Sequence, residues 1–211
     1  VFALIAKTIS SVSGDISQIS EILSALVFYM GVVILGLFVH MGITYMTLLK
    51  IFTTMDIRHF LKSMAPVQLL GFSTSSSGAT LPVTMKRCEK DLGISEEISS
   101  FVLPLGATIN MDGTALYQGV AAVFIAQAVG MDLTLANQFT IVATAVLASI
   151  GTAAVPGAGI IMLIIILEAI NVPSEGIALI LGVDRILDMI RTATNVTGDA
   201  TVASVMDSLE R

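Results

Sequence analysis

Five polar side chains near the carboxyl-terminal end of the sequence recur at the spacing of one helix face. They are Asp184, Asp188, Arg191, Asn195 and Asp199, separated by 4, 3, 4 and 4 residues, and a helix of about 3.6 residues per turn puts such positions on one side. A guanidinium presents a planar fork to a carboxylate, a carboxylate one turn earlier can accept from an ammonium, and an amide one turn later can hold another polar group. The stripe therefore predicts a site for an amino acid that has a second carboxylate.

An internal ion pair is the alternative interpretation of the same stripe. Asp188 with Arg191, or Asp184 with Arg185, would only neutralise a helix inside a bundle. That pairing leaves a surplus of negative charge. The apolar part of the chain has four aspartates and two arginines, so two negative charges remain. Bound cations would balance this surplus.

Oxygen ligands for such cations are found where apolar helices are interrupted. Hard alkali ions bind carboxylate, amide and carbonyl oxygens, and an unwound backbone frees carbonyls that a helix would occupy. One interruption is the polar segment 110–114, and Gly106, Asn110 and Asp112 lie at or near it, while Asn195 and Asp199 lie on the stripe. These groups can converge only if the two helices pack together.

The composition indicates that these polar groups lie inside a membrane protein. Of 211 residues, 55% are hydrophobic and only 12% are charged, against about 25% charged in ordinary globular domains, and the mean hydropathy is +0.93. The net charge of −6 argues against a nucleic-acid partner, and the single Cys88 excludes an internal disulfide. His40 is expected to be a packed histidine rather than a proton relay, and the methionines are expected to be apolar filler.

The apolar runs predict which elements position the stripe. A bilayer core needs about 20 helical residues, and the arms on either side of the polar segments 73–78 and 151–159 are shorter than that, so each pair of arms should turn back as a re-entrant hairpin. The predicted elements are the end of a transmembrane helix and a loop at 1–20, a helix at 21–52, hairpin 1 at 57–91, a broken helix at 95–131, hairpin 2 at 133–170 and a last helix at 175–211.

The distribution of basic residues predicts the orientation of the hairpins. Lys and Arg flank both ends of hairpin 1, whereas the connections around Asp132 and Glu175 have none, which places hairpin 1 on the cytoplasmic side and hairpin 2 on the opposite side. The expected fold is an all-α integral membrane protein with two oppositely oriented re-entrant hairpins and broken helices. Because Val1 opens an apolar run without an initiator Met, the sequence is interpreted as the distal part of a longer chain.

Four segments of the sequence carry a family resemblance in the same order. They are FSTSSSGATLP at 72–82, NMDGT at 110–114, GTAAVPGAG at 151–159 and DRILDMIRTATNVTGD at 184–199. Together they resemble the dicarboxylate/amino acid:cation symporters, the glutamate and aspartate transporter family. The resemblance implies a glutamate-transporter-like inverted repeat, with residues 21–211 as the transport domain. It also implies a multi-pass protein of the plasma or inner membrane that moves an acidic amino acid with sodium ions by an elevator-type mechanism, uses no organic cofactor, and forms a homotrimer through a preceding scaffold.

The resemblance also implies roles for individual residues. The substrate-binding positions would be Ser76, Ser77, Thr114, Val155, Gly159, Asp188, Arg191, Thr192 and Asn195. Arg191 would hold the side-chain carboxylate, Asp188 the amino group, and Asn195 with hairpin 1 the main carboxylate. One sodium site would use Gly106, Asn110, Asn195 and Asp199, a second the carbonyls of Thr108, Ser149, Ile150 and Thr152, and a third Asn110 and Asp112 with residues outside this sequence.

Several alternatives stay open at this point. Glutamate and aspartate are not distinguished, nor are sodium and proton coupling, and a proton-coupled carrier of four-carbon dicarboxylates is the second interpretation. A non-transporting channel or a truncated structural fragment is a third. An intramembrane enzyme would need Ser75–Ser77 with Asp112, but no His lies near these motifs in the sequence to act as the base. Ser75 replaces an Arg that archaeal aspartate carriers place in hairpin 1, and Arg185 is available instead on the last helix.

Overall fold

A computed structural model describes residues 16–210 of the protein, and within this range helices joined by short non-helical segments make up the chain, without strands. Of the predicted segment 1–20, only residues 16–20 are described, and they begin the first helix. The remainder of that segment, and the last residue of the predicted helix 175–211, lie outside the described residues.

The first helix is long and contains a π-helical turn. It consists of α1 (Ile16–Val39), the π-turn His40–Tyr45 and α2 (Met46–Phe52), which follow one another without a break. The stretch Ser20–Phe52 is 33 residues long, its most apolar window of 18 residues has a mean hydropathy of 2.6, and within the described chain it is the helix that is long and apolar enough to cross a membrane. The sequence predicted one helix over this region but not the π-turn.

The next two helices form the first hairpin. Helix α3 (Ile57–Thr74) is joined to α4 (Ser77–Lys90) by Ser75 and Ser76, and Ser75 adopts the left-handed conformation with φ 52°. A contact of 2.7 Å between His59 Nε2 and the carbonyl oxygen of Asp91 joins the outer ends of the two helices. At 14 residues, α4 is about 21 Å long, which is less than a bilayer core of roughly 30 Å. The first arm, α3, continues through Thr74, so two residues of the predicted polar segment 73–78 are helical.

The predicted broken helix has a shorter break than expected. Helix α5 (Glu96–Ile109) and helix α6 (Asp112–Ala128) are separated only by Asn110 and Met111. Asp112 begins α6, where a carboxylate is favoured by the positive end of the helix dipole. The prediction of a break over 110–114 was therefore too long, since its last three residues form the first turn of α6.

The second hairpin has a wider connection than the first. Helix α7 (Leu135–Ile150) and helix α8 (Ala158–Ala169) are both apolar and are joined by residues 151–157. Gly157 has a φ of 76°, which a glycine adopts without a steric penalty. The seven residues of the connection therefore form no regular helix and turn the chain back between the two arms.

The last helix is the central element of the described chain. After a short 3₁₀ helix (Ser174–Leu179), α9 (Leu181–Glu210) runs for 30 residues and packs against α3, α4, α5, α6 and α1. Two apolar clusters meet on it. One contains Tyr117 and Leu187, with side chains from α1, α6, α7 and α8, and the other contains Phe60 and Val196, with side chains from α2 to α5. The polar stripe lies where these clusters join.

Candidate functional site

The polar stripe of α9 lies on its buried face. Asp184, Asp188, Arg191, Asn195 and Asp199 are all buried, and Arg191 is only 1% exposed. An ionisable group inside a protein requires a partner or a ligand, because the desolvation of an unpaired charge is costly. The contacts of Arg191 show how the protein meets this requirement.

Arg191 is held by two carboxylates and one aromatic ring. Its Nη2 donates to Asp188 Oδ1 at 2.7 Å and lies 3.4 Å from Asp184 Oδ1, while its Cζ lies 3.6 Å from the centre of the Tyr117 ring. The suggested pair of Asp184 with Arg185 does not form, because Arg185 points to the exposed side of α9. Nε and Nη1 of Arg191 are buried without a hydrogen-bond partner. Two donors of the guanidinium fork are thus left for a ligand.

Two residues beside the guanidinium were not predicted from the sequence. Tyr117 stacks on Arg191, and the next residue, Gln118, donates from Nε2 to the carbonyl oxygen of Gly159 at 3.0 Å. Both follow Thr114 by about one helical turn, so the helical period could have predicted that they lie on the same face as Thr114. Gly159 itself lies against the site, since a Cβ there would be 3.1 Å from Thr114 Cγ2 and 3.5 Å from Arg191 Nη1.

The tips of the two hairpins are hydrogen-bonded to each other and to the stripe. Ser76 Oγ and the backbone N–H of Gly78 both donate to the carbonyl oxygen of Ala154, at 2.7 and 3.3 Å. The N–H of Gly157 donates to Asp188 Oδ2 at 3.0 Å. The connection 151–157 is therefore fixed at one point to hairpin 1 and at another to the carboxylate beside Arg191.

The space enclosed by these contacts is small. A cavity of about 20 Å³ lies between the hairpin tips, α6 and α9, which is enough for roughly one water molecule. Seven of the nine predicted substrate residues line it, namely Ser77, Thr114, Val155, Gly159, Asp188, Thr192 and Asn195. Ser76 and Arg191 are outside the lining, whereas Ser75 and Met111, which were not predicted, belong to it. An amino acid is larger than this cavity, so the hairpin tips must separate, by movement of the connection 151–157 or of hairpin 1, before an amino acid can bind.

We expect that removing one hydrogen bond between the tips makes this movement easier. In Ser76→Ala, a cysteine placed at Ala154 should react with a thiol reagent about 2- to 10-fold faster than in the Ser76 background, since one neutral hydrogen bond contributes about 0.5–1.5 kcal/mol. Ser73→Ala is the matched control, because the Ser73 hydroxyl bonds only to the carbonyl of Leu69 within its own helix. Equal labelling rates in all three proteins would show that the Ser76 contact does not restrain the connection.

Most residues of the first predicted cation set are close together. Asn110 Nδ2 donates to Asp199 Oδ1 at 3.1 Å, and a Cβ on Gly106 would lie 2.8 Å from the same oxygen. The amide of Asn195 instead bonds to the start of α6, accepting from the N–H of Gly113 at 2.8 Å and donating to Thr114 Oγ1 at 3.0 Å. Asn195 thus ties α9 to α6 between the cation residues and the small cavity.

The second predicted set lies at two helix ends. Thr108 is exposed near the end of α5, while Ser149 and Thr152 are buried at the end of α7. The last carbonyls of a helix have no partner within it, although the carbonyl of Ser149 already accepts from the N–H of Thr152 at 3.2 Å. A cation ring built from these carbonyls and that of Ile150 stays a prediction.

Asp112, the partial third set, has two partners in the long first helix. Its Oδ2 lies 3.3 Å from both His40 Nε2 and the hydroxyl oxygen of Tyr45. The side chain of Asp112 is 40% exposed, so it remains within reach of solvent. His40 was expected to be a packed histidine rather than a proton relay, and its contact with this carboxylate is a polar partner that the sequence did not predict.

Comparison with known proteins places these features in context. A family model described as the sodium:dicarboxylate symporter family matches residues 1–209. The excitatory amino acid transporter 3 of Mus musculus is 44% identical over 202 residues, which is 95% of this chain and 39% of that protein. The excitatory amino acid transporter 1 of Rattus norvegicus is 43% identical over 186 residues, 88% of this chain and 34% of that protein. A Caenorhabditis elegans excitatory amino acid transporter is 41% identical over 192 residues, 91% of this chain and 38% of that protein.

The coverage and the names of these relatives limit what they show. This chain spans 39% or less of the length of each of the three proteins. The matched family and its named members are transporters and not enzymes. The alternative of an intramembrane enzyme built on Ser75–Ser77 is therefore set aside.

Proposed function

The chain belongs to the sodium:dicarboxylate symporter family, and from this premise we propose that the whole protein couples the inward movement of sodium ions to the uptake of glutamate or aspartate. The observation that carries the proposal is the environment of Arg191. A buried guanidinium with two unused donors lies next to a carboxylate, Asp188, which can receive an ammonium group. A carboxylate and an amino group on one small molecule satisfy both residues.

The pairing of charges favours an amino acid over a simple dicarboxylate. Asp184 and Asp188 already supply two negative charges around Arg191. A dicarboxylate ligand without an ammonium group would therefore add to an existing excess of negative charge. An ammonium at Asp188 Oδ2 would replace the N–H of Gly157 as its hydrogen-bond donor. Substrate binding and the position of the connection 151–157 are linked in this way.

Sodium supplies the remaining positive charge in the proposal. Asp199 is buried and accepts from the amide of Asn110, and no cationic side chain within residues 16–210 pairs with it. Carboxylate, amide and backbone oxygens around Asn110 and Asp199 are the ligand types that hard cations bind. Sodium is cargo in this mechanism, so its site must also release it.

The proposed cycle uses the two hairpins as re-entrant elements of a moving transport domain formed by residues 21–211. The connection 151–157 opens, substrate binds between Arg191, Asp188 and Asn195, and the connection closes again so that the loaded domain can cross the membrane as a unit. A preceding scaffold, which assembles as a homotrimer in this proposal, stays fixed in the cell membrane. The short arms and the apolar exposed side chains of α7 and α8 support this layout.

Uptake by the whole protein in liposomes tests the proposal. An inward sodium gradient should drive accumulation of radiolabelled aspartate or glutamate above the external concentration, and a sodium ionophore should abolish it. Accumulation of succinate under a proton gradient without sodium would support the dicarboxylate carrier instead. Flux that stops at equal concentrations on both sides would indicate a channel, and the absence of flux for all of these solutes would contradict the proposal.

A further inference from the structure

The π-turn changes which residues of the first helix share a face. Each residue of an α-helix rotates the chain by about 100°, so residues five apart are about 140° from each other. A π-turn closes hydrogen bonds between residues five apart and brings such a pair to the same side. His40 and Tyr45 are its first and last residues. Their rings meet edge to face with centres 4.8 Å apart, and both reach Asp112 Oδ2 at 3.3 Å.

Tyr45 extends further into the protein than His40 does. Its side chain is only 2% exposed, and its hydroxyl lies against Gly198 of α9. A Cβ on Gly198 would be 2.5 Å from the Tyr45 hydroxyl oxygen and 3.2 Å from Asn110 Nδ2. The hydroxyl therefore occupies the space that a glycine leaves on α9, at the break between α5 and α6.

This position joins the two acids of the predicted cation sets. The Tyr45 hydroxyl donates to Asp112 on one side, and on the other side it shares the surface of Gly198 with Asn110, whose amide donates to Asp199. A hydroxyl oxygen is a neutral ligand for a hard cation, and it can also hold a carboxylate in the orientation that a cation needs. A phenylalanine would fill the same volume without either ability.

From this arrangement we infer that Tyr45 is a further residue of the monovalent-cation site at Asp112, presented there by the π-turn and accommodated by Gly198. The inference rests on the proposed function, because it takes the cation to be the sodium ion that drives uptake. It adds a residue of this chain to the third predicted set, which the sequence assigned to Asn110, Asp112 and residues outside this sequence. Tyr45 acts on the cation through its hydroxyl, so its removal changes cation affinity rather than substrate recognition.

The test measures sodium binding by the purified whole protein in detergent without substrate. Sodium that binds the folded state raises the thermal midpoint in a concentration-dependent way, and choline replaces sodium to hold the ionic strength constant. In Tyr45→Phe the sodium concentration for the half-maximal shift should rise about tenfold, the effect of losing one hydrogen bond to a charged group. Tyr29→Phe, a buried tyrosine of the other apolar cluster, should leave it unchanged.

A second variant keeps the inference testable if Tyr45→Phe does not fold. Gly198→Ala should displace the hydroxyl and weaken sodium binding in the same direction, although alanine is the better helix former. Gly119→Ala is its matched control, because a Cβ at Gly119 meets no atom within 4 Å. The same sodium series is measured for both proteins.

The outcomes separate this inference from the proposed function. If Tyr45→Phe has the sodium dependence of the wild-type protein, the inference is overturned and sodium-driven uptake still stands. If only Gly198→Ala folds, the same result in Gly198→Ala has the same meaning. An equal loss of sodium affinity in Tyr29→Phe or Gly119→Ala would indicate that these substitutions destabilise the protein in general, and it would also overturn the inference. A wild-type protein that does not respond to sodium, and does not accumulate substrate with it, contradicts the proposed function and removes the premise of the inference.

Discussion

Replacing Arg191 by alanine should reduce the affinity for aspartate and glutamate by at least about a hundredfold. Two buried donors of the guanidinium have no partner and are available to a carboxylate, and each hydrogen bond to a charged group contributes about 1.5–3 kcal/mol. The substitution also leaves Asp184 and Asp188 without their cation. Arg191→Cys should therefore favour small neutral amino acids, whose ammonium can still reach Asp188.

Arg191→Lys separates the loss of the fork from the loss of charge. Breaking a buried ion pair by removing one partner costs about 3–5 kcal/mol, so Arg191→Ala is expected to lower the thermal stability of the protein. Lysine keeps the positive charge but offers a point donor instead of a planar fork. We expect a protein of nearly wild-type stability whose affinity for acidic amino acids is still reduced about tenfold or more.

Calorimetric titration with aspartate, glutamate and serine measures these effects directly. Arg185→Ala is the control for charge alone, because Arg185 lies six residues away on the exposed side of the same helix. Unchanged aspartate affinity in folded Arg191→Lys and Arg191→Ala would remove Arg191 from the substrate site. A loss of equal size in Arg185→Ala would show that the net charge of the helix, and not the fork, is responsible.

The sequence was informative where periodicity and composition determine the structure. The buried face of α9 follows from residue spacing alone, because the interval between polar side chains matches the helical period. The interruption at Asn110 and the connection before Ala158 follow from polar and glycine residues that interrupt apolar runs. Such features are local, and the tertiary structure did not have to be known to place them.

Other parts of the site depend on contacts between distant segments. The residues next to Tyr45 in the sequence do not show that its hydroxyl packs against Gly198, or that a π-turn changes the side of the helix on which Tyr45 lies. Likewise, Asp184 pairs with Arg191 and not with its neighbour Arg185, since only one of the two arginines faces the interior. Tyr117 and Gln118 look like ordinary residues of an apolar helix until α8 and α9 are packed against them.

Replacing Asp199 by asparagine should weaken the coupling between sodium and substrate. Asp199 is buried, bonds to Asn110 and lies beside Gly106, while Asn195 one turn earlier bonds to the start of α6 at the edge of the small cavity. Sodium at Asp199 would therefore order the same helix junction that substrate uses. Coupling of this kind is reciprocal and typically contributes about 1–3 kcal/mol, or roughly 5- to 150-fold in affinity.

Asparagine preserves the size of the side chain and one acceptor oxygen but removes the charge. We expect the sodium concentration for the half-maximal effect on substrate affinity to rise at least about tenfold in Asp199→Asn. The dependence of substrate affinity on sodium should also be flatter, while the fork at Arg191 stays intact. Substrate affinity is measured across a sodium series at constant ionic strength, because screening alone changes with added salt. The affinity at saturating sodium then reports whether the substrate site itself has changed.

Asp207→Asn is the matched control on the same helix. Asp207 is also a buried acid of α9, and its Oδ1 accepts from the N–H of Ser95 at 2.8 Å, a bond that an asparagine oxygen can keep. Its sodium dependence should equal that of the wild-type protein. If Asp199→Asn and Asp207→Asn both follow the wild-type slope, Asp199 serves only to pack α9 against α5. The cation that drives uptake must then bind at another predicted set, and the set that contains Asp112 already has a side-chain partner in the long first helix, Tyr45.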